Sequence, residues 1–385
     1  MDIAIIVVTY NRPKSLRRLL DSIERAHYPD RNLSLVISVD YQDSEEHSTV
    51  IDIANNFEWS NGEKIVIVHK ENLGLRNHVI SCGNLSKNYD AIIMLEDDLY
   101  VSPYFYHYAQ EALDFYGDKD YIAGISLYKH KQNTNCNRPF IPLKNKYDVF
   151  FLQYAQSWGQ CWSRRMWSQF YEWYIKNEKW ENIDDEIPDA VLNWPNSSWL
   201  RYFIKYVIKT DRYFVYPYLS LSTNFSDVGT HNKEEQHSYQ VDLNIFYINY
   251  VFPTIEDAIL YDAFYERKDK FLSMDSSLID ISVDLYGTKK RLENKRYLLT
   301  MNKYPYEIVS AYKLNLKPHE LNITLENYGN DIYIYDTSKN VILKKKRWDK
   351  YEIEYKKAFY DYNNLNIRKM IKLLLFRVLF SSVLK

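Results

Sequence analysis

Short apolar runs alternate with amphipathic segments over the first quarter of the chain. Residues 3–9 read IAIIVVT, a continuous apolar run that is typical of a strand buried on both faces. The next segment starts at Pro13 and repeats aliphatic residues at helical spacing, which predicts a helix. The alternation continues with predicted strands at 33–39, 65–69 and 91–95 and predicted helices at 48–57 and 72–84. This order predicts an α/β fold built on a doubly wound sheet.

The alternation continues more loosely after residue 100. Helices are predicted at 103–116 and 198–208, and strands at 121–126 and 213–221. Beyond about residue 266 the pattern changes to short tyrosine-rich strands, predicted around Ile281, Tyr297, Val309, Ile323 and Ile332. This change predicts a smaller β-rich appendage at the carboxyl-terminal side.

The last residues of the sequence form a third pattern. Ile367, Met370, Ile371 and Leu374 lie on one helical stripe, and basic residues occupy the opposite arc. This pattern predicts a terminal amphipathic helix that binds an anionic membrane surface. The alternative is a helix docked on its own domain or on a second subunit. The predicted domains are therefore 1–265, with halves 1–130 and 131–265, then 266–360, and a basic amphipathic helix at 361–385.

Composition narrows the class of protein. The 385 residues carry 49 Lys and Arg against 51 Asp and Glu, and 46% are hydrophobic, which excludes a disordered chain and disfavours nucleic acid as a partner. The first apolar run has six residues before Thr9, too few for a membrane span or a signal peptide. We therefore expect a cytoplasmic protein, held peripherally at the inner face of the cell membrane by its terminal helix. The 16% of aromatic residues is compatible with sugar stacking or with compositional bias.

Three adjacent carboxylates, Glu96, Asp97 and Asp98, follow the predicted strand at 91–95. Holding them together is costly unless a cation neutralises them. Magnesium or manganese takes one or two carboxylates and fills its other positions with phosphates and water. The triplet therefore predicts a divalent-cation site with a nucleotide diphosphate as co-ligand, and the alternative is a solvated acidic turn.

Polar residues also follow the other predicted strands. Asp40 ends the run LVISVD, and Arg12 comes just after the first strand. In open α/β sheets, ligands bind beyond the carboxyl ends of the strands. We therefore expect Asp40 to accept hydrogen bonds from a base or ribose, and Arg12 to neutralise phosphate or to clamp the base.

These segments resemble a known family. The runs VVTYNRPKSLRRLLDSI, VISVD and AIIMLEDDLYVSPYFYHYAQEAL are similar to nucleotide-sugar glycosyltransferases of the GT-A fold. The last run is especially similar to the Golgi N-acetylglucosaminyltransferase that initiates complex N-glycans and to its bacterial relatives. The resemblance continues through SWGQCWSRRMW and VYPYLSLSTNFSDVGTH and covers about residues 1–240. It implies a Rossmann-like, mixed-sheet catalytic domain.

The resemblance also implies roles for individual residues. Asp98 corresponds to the ligand of Mn2+ (or Mg2+) that bridges the donor pyrophosphate. Glu96 and Asp97 correspond to contacts with the ribose and uracil, and Asp40 to the acid that binds uracil. Arg12 corresponds to an arginine at the nucleotide site. The other expected contacts with the nucleotide-sugar are Thr9, Tyr10, His78 or Asn77, Trp158, Gly159 and His231. Trp158 could stack on a sugar ring, and the alternative is that it packs in the core.

The catalytic base is the point at which the sequence departs from this family. The family uses an aspartate in a Trp-Asp-Asp-Trp segment, and this chain has Asn196-Ser197-Ser198-Trp199 there. An inverting transferase needs a carboxylate within reach of the acceptor hydroxyl. Asp189 is the first candidate for this base, and Asp227 is the alternate, with Asp185 and Glu186 behind them.

The resulting hypothesis is an inverting, divalent-metal-dependent glycosyltransferase, either a hexosyl- or an N-acetylhexosaminyltransferase. It would move a sugar from a UDP-sugar to a glycan or lipid-linked glycan in bacterial surface polysaccharide synthesis. Two alternatives remain open. One is a catalytically degenerate transferase that acts as a carbohydrate-binding or assembly subunit. The other is a sugar nucleotidyltransferase, which the glycine-free segment TYNRPKS disfavours because such an enzyme uses a glycine-rich phosphate loop.

Overall fold

A computed structural model describes residues 1–29, 32–180, 183–228, 238–268, 280–290, 295–342 and 349–362. These residues form two compact units. The first takes its described residues from Met1–Asn135, Pro142–Asp269 and Lys289–Arg291. The second takes them from Cys136–Ile141, Lys270–Thr288 and Leu292–Lys385.

The helices and strands follow one another in a largely alternating order. The helices are α1 (Pro13–Glu24), α2 (Glu45–Asn56), α3 (Gly74–Gly83), α4 (Phe105–Tyr116), α5 (Arg164–Lys176), α6 (Asp189–Leu192), α7 (Leu200–Lys209), α8 (Leu321–Thr324) and α9 (Asp349–Tyr362), with a 3-10 turn at Asn84–Lys87. The strands are β1 (Ile3–Thr9), β2 (Leu33–Val39), β3 (Gly62–Val68), β4 (Ala91–Glu96), β5 (Leu99–Val101), β6 (Ile122–Ser126), β7 (Gln132–Asn133), β8 (Arg138–Pro139), β9 (Val149–Leu152), β10 (Gln160–Ser163), β11 (Tyr213–Pro217), β12 (Ser222–Asn224), β13 (Leu260–Tyr261), β14 (Ile281–Val283), β15 (Tyr297–Thr300), β16 (Tyr306–Tyr312) and β17 (Ile332–Asn340).

The first unit is organised by a mixed sheet. Within the described ranges its strands lie in the order β13-β9-β11-β6-β10-β4-β1-β2-β3. Strands β1 to β4 are parallel to one another, whereas β10 pairs antiparallel with both β4 and β6. The predicted α/β sheet of Rossmann type is therefore confirmed, and the antiparallel β10 makes it a mixed sheet.

Helix α1 shows why these segments fold as they do. Pro13 stands at its first turn, where a missing N–H costs nothing. Its Leu16, Leu19 and Leu20 are fully buried. Burial of each such side chain contributes about 1.5–3 kcal/mol, so this face fixes the helix on the sheet.

The parallel pairing brings the ends of three strands together. Asp40 N–H donates to the carbonyl of Thr9 at 3.0 Å, and Asp97 N–H donates to the carbonyl of Val8 at 3.1 Å. The residues that follow β1, β2 and β4 therefore meet at one edge of the sheet. The polar residues predicted from the sequence lie at this edge.

A short antiparallel ribbon of β5 and β12 adds a later part of the chain to the same edge. Thr223 is opposite Tyr100 in the register, and Phe225 N–H donates to the carbonyl of Asp98 at 2.9 Å. The segment after β12 is thereby held next to the acidic triplet.

The second unit contains a four-stranded sheet among its described residues, in the order β14-β15-β17-β16. Leu285, Leu299, Met301 and Ile334 form its core. The predicted β-rich carboxyl-terminal region is confirmed. One predicted strand is wrong, because Ile323 lies in the short helix α8. The side chain of Asn322 accepts hydrogen bonds from two backbone amides of the preceding turn, and these contacts favour a helical turn over an extended strand.

The predicted amphipathic segment at 361–385 falls almost entirely outside the described residues, which end at 362. None of the helices within the described ranges has the length and hydrophobicity that crossing a bilayer requires.

Candidate nucleotide-sugar site

A cavity of about 290 Å³ opens at the carboxyl ends of β1, β2 and β4. Residues that follow these strands line it, together with the start of α3 and one residue after β12. They are Val8, Thr9, Tyr10, Asn11, Arg12, Asp40, Asn72, Gly74, Leu75, His78, Glu96, Asp97, Asp98 and Asp227. Most of the residues expected at the donor site from the sequence are therefore brought together.

The acidic triplet is neutralised in part by Arg12. The guanidinium of Arg12 forms ion pairs with a carboxylate oxygen of Asp97 and, at 3.2 Å, with Oδ2 of Asp98. The hydroxyl of Thr9 donates to the other oxygen of Asp97 at 2.8 Å. Burial lowers the pKa of Arg12, but the two aspartates outweigh burial and raise it above its ordinary value. Arg12 therefore remains a permanent cation of the cavity.

Arg12 does not fully compensate the cost of burying the charged forms of Glu96 and Asp97. Burial and the charge of Asp98 raise the pKa of Glu96 to about 8, although Arg12 opposes this shift. Burial also raises the pKa of Asp97, against the effect of Arg12. The triplet therefore carries less negative charge at neutral pH than three free carboxylates would.

Asp98 presents the clearest unmet polar group in the cavity. Its side chain is buried, and its Oδ1 atom has no hydrogen-bond partner among the described residues. A buried carboxylate oxygen without a partner is costly. A hard divalent cation would satisfy this oxygen and would take its other ligands from phosphate and water.

The donor set fits a cation of this kind. No group of three or more His, Cys, Asp or Glu side chains in the described ranges is arranged to hold a metal ion by itself. This is the expected situation for magnesium or manganese, which binds one or two protein carboxylates together with substrate phosphates. Asp98 is the residue that would hold the ion, and Arg12 holds its second oxygen.

Asp40 links β2 to the start of α3. Its carboxylate accepts hydrogen bonds from the backbone N–H groups of Tyr41 at 2.9 Å, Leu73 at 2.8 Å and Gly74 at 3.0 Å. This contact places a negative charge at the amino-terminal end of the helix, where it is favourable. A carboxylate has about four acceptor sites, so one remains for a ligand in the cavity.

His78 lines the cavity, whereas Asn77 does not. The Nε2 atom of His78 lies 2.8 Å from the hydroxyl of Ser38, which is also 3.1 Å from Nε2 of His69. Burial lowers the pKa of His78 to about 4, so its imidazole is neutral at pH 7. Asn77 is exposed and donates to the carbonyl of Leu73 in its own helix. Of the two residues considered for this position, His78 is the one beside the cavity.

Trp158 and Gly159 lie outside the lining of this cavity. The ring of Trp158 packs against Tyr128 and Tyr239, with centroid distances of 4.7 Å to each. Gly159 has φ +91°, and a Cβ there would lie 2.9 Å from the hydroxyl of Ser222. Their contacts are those of packing residues. His231, the other expected donor contact, falls outside the described residues.

The two candidate bases occupy different places. Asp189 begins α6, has an exposed side chain that is ion-paired with Lys290, and does not line the cavity. Asp227 does line it, and its carboxylate is held by Arg18 and by the hydroxyl of Ser15 at 2.6 Å. Burial opposes ionisation of Asp227, but its bonds to Arg18 and Ser15 outweigh burial and lower its pKa.

Sequence reasoning missed the group that fixes Asp227. The guanidinium of Arg18 lies 3.8 Å from the ring centroid of Phe225 and bonds both oxygens of Asp227. Arg18 lies on α1 six residues after Arg12, among other cations, and the sequence offers no sign that it pairs with a residue two hundred positions later. The missed lining residues Asn72 and Gly74 lie in the turn before α3.

Comparison with known proteins indicates the class of protein. Residues 4–173 match the model of Glycosyl transferase family 2. The matched segment contains β1 to β4 and the whole acidic triplet. The family match supports the assignment of the chain as a glycosyltransferase. The matched residues are fewer than half of the 385 in the chain. No curated protein sequence matches the chain significantly.

Several solved structures are similar at low identity. TarS 1–349 of S. aureus in complex with UDP is 13% identical, with a TM-score of 0.36 over 56% of this chain and 57% of that chain. The UDP-GlcNAc complex of the same protein is 12% identical, with a TM-score of 0.40 over 60% of each chain. The mannosyltransferase PcManGT from Pyrobaculum calidifontis, in complex with GDP-Man and Mn2+, is 13% identical, with a TM-score of 0.32 over 44% of this chain and 46% of that one. The chain thus spans less than two thirds of each of these structures.

The raised pKa of Glu96 predicts a pH-dependent stability. Between about pH 4.5 and 8 the folded protein keeps the proton of Glu96 while the unfolded chain releases it, so the free energy of unfolding falls as the pH rises. Glu96→Gln lacks this proton exchange. We expect the variant to gain stability relative to the wild type as the pH is raised through this range, measured by chemical unfolding.

The exposed Glu63 on β3 supplies the control. Glu63→Gln should leave the pH profile parallel to that of the wild type. Parallel profiles for Glu96→Gln as well would contradict the assignment of a raised pKa to Glu96.

Proposed function

We propose that the protein is an inverting, divalent-cation-dependent glycosyltransferase that uses a UDP-sugar as donor. The observation that carries the proposal is the unpartnered Oδ1 of Asp98, in a cavity that also holds Arg12 and the carboxyl ends of three parallel strands. The match of residues 4–173 to a glycosyltransferase family supports the reaction class. The finer resemblance of the segment AIIMLEDDLYVSPYFYHYAQEAL to the Golgi N-acetylglucosaminyltransferase supports uridine as the base and a hexosyl or N-acetylhexosaminyl group as the sugar.

Each part of the cavity has a task in this proposal. Asp98 would hold Mn2+ or Mg2+, which neutralises the pyrophosphate and stabilises the departing UDP. Arg12 orients Asp98 and adds a fixed positive charge near the phosphates. Asp40 and the neutral His78 would bind the base and ribose at the start of α3.

The transfer step needs a base on the acceptor side. The acceptor oxygen forms a bond to the anomeric carbon as the bond from that carbon to the pyrophosphate oxygen breaks, and the hydroxyl proton passes to a carboxylate. We assign this carboxylate to Asp227, which lines the cavity and is ionised at neutral pH. The sequence alone favours Asp189 as the catalytic base. Because Asp189 is exposed and lies outside the cavity, it becomes the second candidate.

The simplest experiment measures consumption of UDP-sugars with and without Mn2+. In the absence of acceptor, we expect slow hydrolysis of one UDP-sugar among those tested. This hydrolysis should require the cation. A protein that binds UDP but never consumes a donor would instead be a carbohydrate-binding or assembly subunit, the reading favoured by the missing Trp-Asp-Asp-Trp aspartates. Cleavage of a nucleoside triphosphate by a sugar phosphate would indicate a nucleotidyltransferase.

Asp98→Asn should remove cation-dependent nucleotide binding. The neutral amide is a poor ligand for a hard cation, so UDP affinity measured by calorimetry in Mn2+ should fall at least about tenfold. Affinity in EDTA should stay the same. Asp52→Asn on the exposed face of α2 is the matched control. Unchanged affinity of Asp98→Asn in Mn2+ would overturn the role of Asp98.

Substitution of the two candidate bases should separate them. Asp227→Asn should lower kcat at least about a hundredfold, because a positioned base contributes 10²–10⁴-fold. Asp189→Asn should change kcat little. Arg18→Gln is the control for loss of the ion pair, because it keeps the carboxylate of Asp227, and it should lower kcat less than Asp227→Asn does. A large loss in Asp189→Asn with normal turnover in Asp227→Asn would reverse the assignment.

The acceptor is proposed to be a glycan or lipid-linked glycan presented at the inner face of the cell membrane, as in surface polysaccharide synthesis. The basic, apolar sequence after residue 366 supports this. Helix α9, which precedes that sequence in the chain, carries an exposed aromatic stripe. Its members are 54–67% exposed and are Tyr351, Tyr355, Phe359 and Tyr362. Amphipathic aromatic rings favour the membrane interface.

Deletion of the chain from Ile367 onward should release the protein from anionic liposomes, because each Lys or Arg near such a surface contributes about 1 kcal/mol. The double variant Tyr355→Ser and Phe359→Ser keeps the tail sequence unchanged. It should sediment less with liposomes than the wild type does. Turnover of a soluble acceptor should not change. Equal sedimentation of the full-length and truncated proteins would show that the membrane surface lies elsewhere.

A further inference from the structure

Three basic side chains of the first unit lie around two aromatic rings. The guanidinium carbon of Arg201 is 3.7 Å from the ring centroid of Trp180, and Nζ of Lys205 is 5.3 Å from the same ring. The ring of Tyr202 lies 5.3 Å from that of Trp180, and its hydroxyl accepts a hydrogen bond from Arg76 at 3.0 Å. We call these five residues the basic cluster.

Among the described residues the cluster has no counter-ion. No ion pair in the described part of the chain includes Arg76, Arg201 or Lys205, although most other buried or half-buried arginines of this protein face a carboxylate. Asp184 and Glu186, in the loop before α6, bind Lys209 instead, at 2.9 and 2.6 Å. Within the ranges that the structure describes, the positive charge of the cluster is therefore not balanced by a carboxylate.

Two buried N–H groups of the cluster also lack partners. Arg201 is 2% exposed and donates to the side-chain oxygen of Asn196 and to the carbonyl of Leu192, but its Nε has no acceptor among the described residues. The indole Nε1 of Trp180 has none either. An unsatisfied buried donor costs about 1–3 kcal/mol, more when it is charged. Burial also lowers the pKa of Arg201, and the charge of Arg76 adds to this effect.

These observations share one solution, an anion with several acceptor oxygens. We infer that the basic cluster binds an anionic group, a phosphate or a carboxylate, carried by a sugar of the acceptor. Guanidinium groups match the oxygens of either anion. Arg76 and Lys205, which are partly exposed, would contact the anion directly.

The cluster lies beside the nucleotide cavity. Arg76 comes directly after Gly74 and Leu75, which line the nucleotide cavity at the start of α3. A molecule held by the cluster would therefore approach the cavity along this helix. The assignment to the acceptor rests on the proposed function, whereas the binding of an anion by the cluster does not.

The indole N–H resonance of Trp180 reports directly on the cluster. Protein labelled with ¹⁵N in its tryptophans is titrated with inorganic phosphate, with methyl glucuronide and with the neutral methyl glucoside, and Trp180→Phe assigns the resonance. We expect a saturable shift with one or both anions and none with the glucoside. Stronger binding of phosphate would indicate a phosphorylated acceptor, and stronger binding of the glucuronide a uronic acid.

Arg76→Gln and Lys205→Gln, both at partly exposed positions, should each weaken the anion affinity at least about tenfold. The exposed Lys176→Gln is the charge-matched control and should behave as the wild type. The inference would be overturned if neither anion shifted the resonance, or if Arg76→Gln and Lys205→Gln had the same titration midpoint as the wild type. A shift abolished by saturating UDP would place the anion in the nucleotide cavity and would also overturn it. UDP affinity, measured separately on the same samples, tests the proposed function independently.

Discussion

The structure of the site depends on the pairing of Arg12 with two adjacent buried carboxylates. Three acidic side chains after one strand cannot all remain ionised in a buried place without a positive charge. Arg12 provides it from the residue before α1, and Thr9 completes the hydrogen bonds of Asp97. This pairing leaves Oδ1 of Asp98 without a hydrogen-bond partner among the described residues, and the proposed cation is the group that would satisfy it.

Parallel pairing of β1 with β2 and β4 makes this arrangement possible. Residues far apart in sequence are joined by backbone hydrogen bonds at one edge of the sheet, Asp40 to Thr9 and Asp97 to Val8. The β5–β12 ribbon then brings Asp227 from the later part of the unit to the same cavity. The residues proposed to hold the donor are thus placed by the sheet, whereas Asp227, the proposed base, is placed by a segment that the sheet itself does not fix.

This division explains which parts could be predicted from the sequence. Buried β-branched runs and helical spacing are local signals, so β1, α1, β2 and β4 were predicted near their observed bounds. The antiparallel placement of β10 and the pairing of Arg18 with Asp227 depend on contacts across the chain, which no local pattern encodes. Ile323 was predicted to lie in one of the short tyrosine-rich strands, whereas it lies in α8, where Asn322 accepts hydrogen bonds from the preceding turn. For Trp158, stacking on a sugar and packing in the core were the two expectations, and its ring packs on Tyr128 and Tyr239.

The most direct test of the central claim is a crystal structure with UDP and Mn2+, in which anomalous scattering locates the metal. The account predicts an anomalous peak at coordination distance from Oδ1 of Asp98, with pyrophosphate oxygens on its other side and Arg12 still bound to Oδ2. A nucleotide bound elsewhere, or a nucleotide bound in the cavity with Oδ1 of Asp98 left without a ligand, would contradict it.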